Sequence, residues 1–71
     1  MKVKLRELMM DASRTYFQGE IEKHRVNIEV YLRNPAGIGE HSGIMEAIES
    51  ELSQMAEYDD KLEMLDKYFG G

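Results

Sequence analysis

Arg33-Asn34-Pro35-Ala36-Gly37-Ile38-Gly39-Glu40-His41-Ser42-Gly43 holds the only proline of the chain and three of its six glycines. Pro35 lacks an amide proton and disfavours helical geometry at Asn34, so a helix arriving from the N-terminal side stops there. Gly37 and Gly39 allow backbone angles closed to other residues. On either side lie about thirty residues with helical periodicity and few breakers. One break between two long helical stretches predicts an all-α helical hairpin. The expected organisation is a helix over about 3–33, a turn over 34–42 and a helix over about 43–69.

The first stretch places Leu5, Met9, Ala12 and Tyr16 at helical spacing, and then Phe17, Ile21, His24, Ile28 and Tyr31. The stripe shifts by one residue at Tyr16-Phe17. A straight helix drifts in this way against a seven-residue repeat, because it turns once every 3.6 residues. Val26 and Val30 lie on a second face, which calls for a second neighbour. Gly19 sits mid-helix, where it costs ~1 kcal/mol relative to alanine. It leaves a bend open.

The second stretch runs Ile44, Ile48, Leu52, Met55, Tyr58, Leu62, Leu65 and Phe69 at steps of three and four. Ser42 precedes it as a candidate N-cap, and Gly70-Gly71 follow it as a stop. Two helices of matched length favour antiparallel packing. A lone hairpin of 71 residues has no second layer over its apolar faces, and chains this short seldom stand alone. The expectation is therefore a homo-oligomer, either an antiparallel dimer forming a four-helix bundle or a larger helical assembly. Phe17, Ile21, His24, Ile28, Leu52, Met55, Leu62 and Phe69 are the candidate interface residues.

The charges are unevenly spread. Residues 1–34 carry seven Lys/Arg and five Asp/Glu, and residues 35–71 carry two Lys and nine Asp/Glu. A chain of net charge −5 repels phosphate backbones, which argues against generic nucleic-acid binding. The asymmetry also favours antiparallel pairing of the first helix with the second. No apolar run approaches the ~18 residues of a membrane span. Glu7 and Asp11 fall where a signal peptide needs its apolar core. A chain in the host-cell cytoplasm is expected.

Little in the chain suggests catalysis. There is no cysteine. Ser13, Ser42, Ser50 and Ser53 stand at helical or capping positions, and most carboxylates of the second helix fall on its polar face. Glu20 and His24 are four apart, yet the Glu-x-x-His pair of di-iron bundles is missing, so no metal and no cofactor are expected. His24 reads instead as an interface histidine bonded to Glu20 or to a partner chain. The turn offers one further possibility. Arg33, Asn34, Gly37, Gly39, His41 and Ser42 surround the free amides of a helix N-terminus, which favour small anions. Glu40 opposes such an anion, and the spacing matches no phosphate-binding fingerprint.

The segment from Glu22 to His41, with Tyr58-Asp59-Asp60-Lys61-Leu62-Glu63, resembles small uncharacterised helical-hairpin proteins of tailed bacteriophages. The resemblance covers about half of the chain and brings no functional residue with it. It implies a phage accessory protein acting on a host or phage component. On this reading the expected function is a non-enzymatic binding or adaptor module. The alternative is a protein that sequesters a small anionic ligand, such as a signalling nucleotide, at the turn and oligomer interface.

Overall fold

The computed structural model describes residues 4–33 and 41–70, with backbone alone at positions 41 and 42. Helix α1 spans Leu5–Arg33 and helix α2 spans His41–Phe69. Each has 29 residues, or ~43 Å of helix at 1.5 Å per residue. The two run antiparallel. Arg6 at the start of α1 donates to the carbonyl of Phe69 at the end of α2 (2.8 Å), Phe17 meets Tyr58, and His24 meets Glu51. The molecule measures 55 × 23 × 12 Å. Its thinnest dimension is the diameter of one helix, so the hairpin is a single layer.

The seam between the helices follows a seven-residue repeat. Met10, Phe17, His24 and Tyr31 recur every seven residues on α1, and Ile44, Glu51, Tyr58 and Leu65 do so on α2. All eight are buried or half-buried. Ile21 and Ile28 on α1, with Ile48, Met55 and Leu62 on α2, fill the positions between them. This is the spacing that lets side chains of one helix enter the gaps of another.

Two features differ from the periodicity reading. The one-residue shift at Tyr16-Phe17 is not a single stripe drifting around the helix. Leu5, Met9, Ala12 and Tyr16 belong to an outer stripe that continues through Gly19, Lys23, Val26 and Val30. Its large apolar members are 48–69% exposed. The inner stripe is separate and starts at Met10. On α2, Leu52 is 51% exposed, and the seam position belongs to its neighbour Glu51. Spacing alone favoured leucine. The buried histidine opposite requires an acceptor, and that requirement placed the glutamate inside.

The helix ends also differ slightly. Backbone hydrogen bonding begins with the Leu8 amide donating to the Lys4 carbonyl (3.1 Å). Helix α2 already includes His41, so Ser42 lies inside the first turn rather than at the cap position. Helix α1 continues unbroken through Gly19. The Gly70 amide donates to the Asp66 carbonyl, and a Cβ added at Gly70 would lie 2.7 Å from that oxygen. A glycine stop is thus sterically required there. The turn residues 34–40, including Asn34, Gly37 and Gly39, lie outside the described residues.

The packing separates two leucines that periodicity treated alike. Leu62→Asp introduces a charge into the seam, which costs several kcal/mol unless it is neutralised. Leu52→Asp replaces a half-exposed side chain and should change hairpin stability by less than about 1 kcal/mol. Circular dichroism at one matched concentration should show much more helix lost in Leu62→Asp than in Leu52→Asp. The reverse order would place Leu52 in the seam.

Candidate functional site

The described part of the seam has a polar centre. Glu20, His24 and Asn27 lie on successive turns of α1, and Glu51 and Tyr58 lie one heptad apart on α2. The His24 side chain is 5% exposed, Glu51 13% and Glu20 18%. His24 is one of two buried residues among those described; the other is Ile44. A carboxylate only accepts hydrogen bonds, so His24 donates through Nδ1–H to Glu51 Oε2, at 2.5 Å. Asn27 Nδ2 donates to both Glu51 oxygens at 3.2 Å. The His24 ring lies over Tyr58, with centroids 6.2 Å apart and planes 13° from parallel.

The other nitrogen of His24 is less well served. Nε2 stands 3.5 Å from Glu20 Oε2, which is close enough for electrostatic contact. It makes no aligned hydrogen bond and has no partner. Glu20 is drawn toward solvent by Lys23, whose Nζ is 3.0 Å from it. An aromatic group closes the side of the cluster. Tyr16 meets Tyr58 edge-on (6.0 Å, 86°), and Phe17 lies 6.2 Å from the same ring. Such aromatic contacts add ~0.5–1.5 kcal/mol beyond their buried area.

These contacts perturb two groups. The hydrogen bond from His24 holds the Glu51 carboxyl below the usual carboxylate range; burial opposes this and Asn27 assists. Hydrogen bonding to Tyr16, aided by burial, pushes the Tyr58 phenol up to about 12. Neither group is poised to exchange protons near neutrality. Three grooves on the described surface are lined by other residues: Leu5, Arg6, Met9, Met10 and Ser13; Arg6, Glu7 and Arg14 with Phe69; and Ile21, Leu52, Met55, Ala56 and Asp59. The polar cluster lies between the helices and keys them together. A buried polar pair in a heptad seam is a known means of specifying register.

The structure distributes the expected site residues unevenly. Phe17, Ile21, His24, Ile28, Met55 and Leu62 pack in or beside the seam within one chain, whereas Leu52 and Phe69 are more than half exposed. His24 has Glu20 beside it, at 3.5 Å from Nε2, but its hydrogen bond goes to Glu51 of the same chain. Of the candidate anion site, Arg33 is described in full: it ends α1, is 83% exposed and pairs with Glu29 at 3.3 Å. His41 and Ser42 contribute helical backbone in the first turn of α2. Among the described residues, no group of three or more His, Asp or Glu is placed to hold a metal ion. No described helix is long and apolar enough to cross a membrane. Glu51 and Asn27 were missed in the sequence, and Tyr58 was read as a member of the apolar series alone. The signal was available, because Glu51 interrupts the seven-residue series Ile44, Tyr58 and Leu65.

No protein-family model, curated protein or solved structure matches this chain.

Two expectations follow from the cluster. Glu51→Leu leaves a buried His24 nitrogen without its acceptor and should cost about 1–3 kcal/mol, whereas His24→Leu with Glu51→Leu should recover most of that loss. Urea titrations of the four proteins in this cycle measure the coupling, and additive losses would count against a paired seam. The second concerns acid. Because the folded-state pKa of Glu51 is lowered, its stabilisation is present above the unfolded value of 4.5 and is lost as pH falls below it. The stability difference between wild type and Glu51→Gln should therefore shrink as pH falls from about 5 toward 2. A difference independent of pH would remove the carboxylate from the register key.

Proposed function

We propose that this chain is a non-enzymatic interaction module, a small accessory protein that self-associates and binds a host or phage component through its helix faces. One observation carries the reading. Among the described residues Ile44 is the single buried hydrophobic side chain, while eleven large apolar side chains are at least 48% exposed. Apolar surface left in water on this scale marks an interaction site in a protein that is otherwise folded. Burying it at ~25 cal/mol per Å² also supplies the stability that a single helix–helix seam lacks.

The exposed groups are ordered along the helices. The outer stripe of α1 occupies one flank of the seam. Leu52 forms an open groove with Ile21 and Met55 on the surface. Two separate apolar surfaces on one short chain suit a protein that holds a copy of itself with one and a partner with the other. The anion-sequestering alternative has less support. Of its six residues Arg33 alone is described in full, and it is an exposed side chain at the end of α1.

Sedimentation equilibrium tests this reading. At micromolar concentration the expected mass is a multiple of 8.2 kDa, and helicity should fall on dilution as the assembly dissociates. A stably helical 8.2 kDa species over the whole concentration range would end it.

A further inference from the structure

The outer stripe of α1 reads the same in both directions, as a heptad stripe can, and the side chains that its reversal brings together point to an occupant. From Leu5 to Val30 its positions advance by four and three alternately, beginning and ending with four. The series therefore reads the same in both directions. Reversing it about a point between Tyr16 and Gly19 brings Leu5 opposite Val30, Met9 opposite Val26, Ala12 opposite Lys23 and Tyr16 opposite Gly19. The sizes are complementary in this arrangement. The bulkiest side chain of the stripe, Tyr16, meets the one residue without a side chain. A Cβ built at Gly19 has nothing within 4 Å, so the position is open. Tyr16 is 55% exposed and is held edge-on by Tyr58, which fixes the ring before any partner arrives.

We infer that this stripe is the contact between two copies of the chain, packed antiparallel about a two-fold axis between Tyr16 and Gly19. The inference deepens the self-association proposed above and rests on it. Charge selects this helix for the contact. Helix α1 carries five Lys/Arg and five Asp/Glu, whereas α2 carries two Lys against eight Asp/Glu. Two α2 helices side by side repel each other, and two α1 helices do not. In the reversed register Arg6 comes opposite Glu29 of the second copy, twice by symmetry. Thr15 then faces Glu20 and Ser13 faces Glu22, so between Leu5 and Val30 no like charges stand opposite each other. Geometry leaves the room needed. At 100° per residue the outer stripe is centred about 130° around α1 from the seam, so a second copy seats without displacing α2. A closed two-fold of this kind buries one stripe twice and stops at two chains.

The test uses full-length protein. The natural chain has no cysteine, so single cysteines report contacts without background. Leu5→Cys mixed with Val30→Cys should oxidise mainly to the mixed disulfide dimer, and Met9→Cys mixed with Val26→Cys should do the same. Gly19→Leu fills the space assigned to Tyr16 of the second copy. Leucine is also a better helix former than glycine, so the diluted hairpin should be as helical as wild type or more so. Self-association should nevertheless weaken at least tenfold by sedimentation. Dimers that form only same-position disulfides, or that tolerate Gly19→Leu with unchanged association, would overturn this surface while leaving self-association standing. A wild-type chain that stays monomeric would overturn both.

Discussion

Glu51 reaches across from α2 to accept the Nδ1 hydrogen of His24, and the alignment of the two helices depends on that contact. The imidazole is almost fully buried in a seam whose other heptad positions are apolar or aromatic. A slip by one heptad in either direction sets His24 against Ile44 or Tyr58 without a carboxylate acceptor, and a buried donor without an acceptor costs more than a lost apolar contact. Apolar side chains alone discriminate poorly between such registers, because Ile44, Tyr58 and Leu65 all occupy equivalent heptad positions and are all buried or half-buried. The polar pair provides the discrimination. Asn27 binds the same carboxylate from the next turn of α1, which fixes the glutamate from two directions.

The rest of the architecture follows from having only one such seam. A hairpin one helix thick can cover one stripe on each helix. Helix α1 carries two stripes, and α2 has Leu52 beside its own. Five of the uncovered groups, Leu5, Met9, Tyr16, Val26 and Val30, are ordered at heptad spacing along α1, which distinguishes them from the scattered apolar residues of an ordinary surface. The ion pairs toward the ends, Arg14 with Asp66 and Arg33 with Glu29, lie in water and add little stability. The proposed role in association is thus the counterpart of the thin fold: the surface that leaves the hairpin marginal is the surface offered to a partner.

Much of this was legible in the residues. Pro35 and the glycines after it divide the chain, and the two helices end where Arg33 and the Gly70 stop require. The apolar series on α2 was almost right; it erred at the end of the helix, where Phe69 is exposed, and at Leu52, where Leu52 and Glu51 are adjacent and spacing of three-then-four competes with four-then-three. Hydrophobicity favoured leucine at that choice. On α1 the two stripes run one residue apart near Tyr16 and Phe17, and a one-dimensional reading joined them into one. The histidine was read as a residue of an interface between chains, whereas the partner it has within the chain lies 27 positions away, beyond the reach of any local pattern.

The sequence by itself determined that there are two long helices, that they fold back on each other, and that more apolar surface exists than one hairpin can bury. These properties depend on proline geometry, on helical spacing and on the ratio of surface to volume in a short chain, all of which act locally or on composition. The tertiary structure decided which of the two α1 stripes faces α2 and which glutamate enters the seam. Those choices depend on the match between side chains far apart in sequence, where the cost of an unpaired buried imidazole outweighs the gain from burying Leu52. That comparison exists only once the helices are side by side.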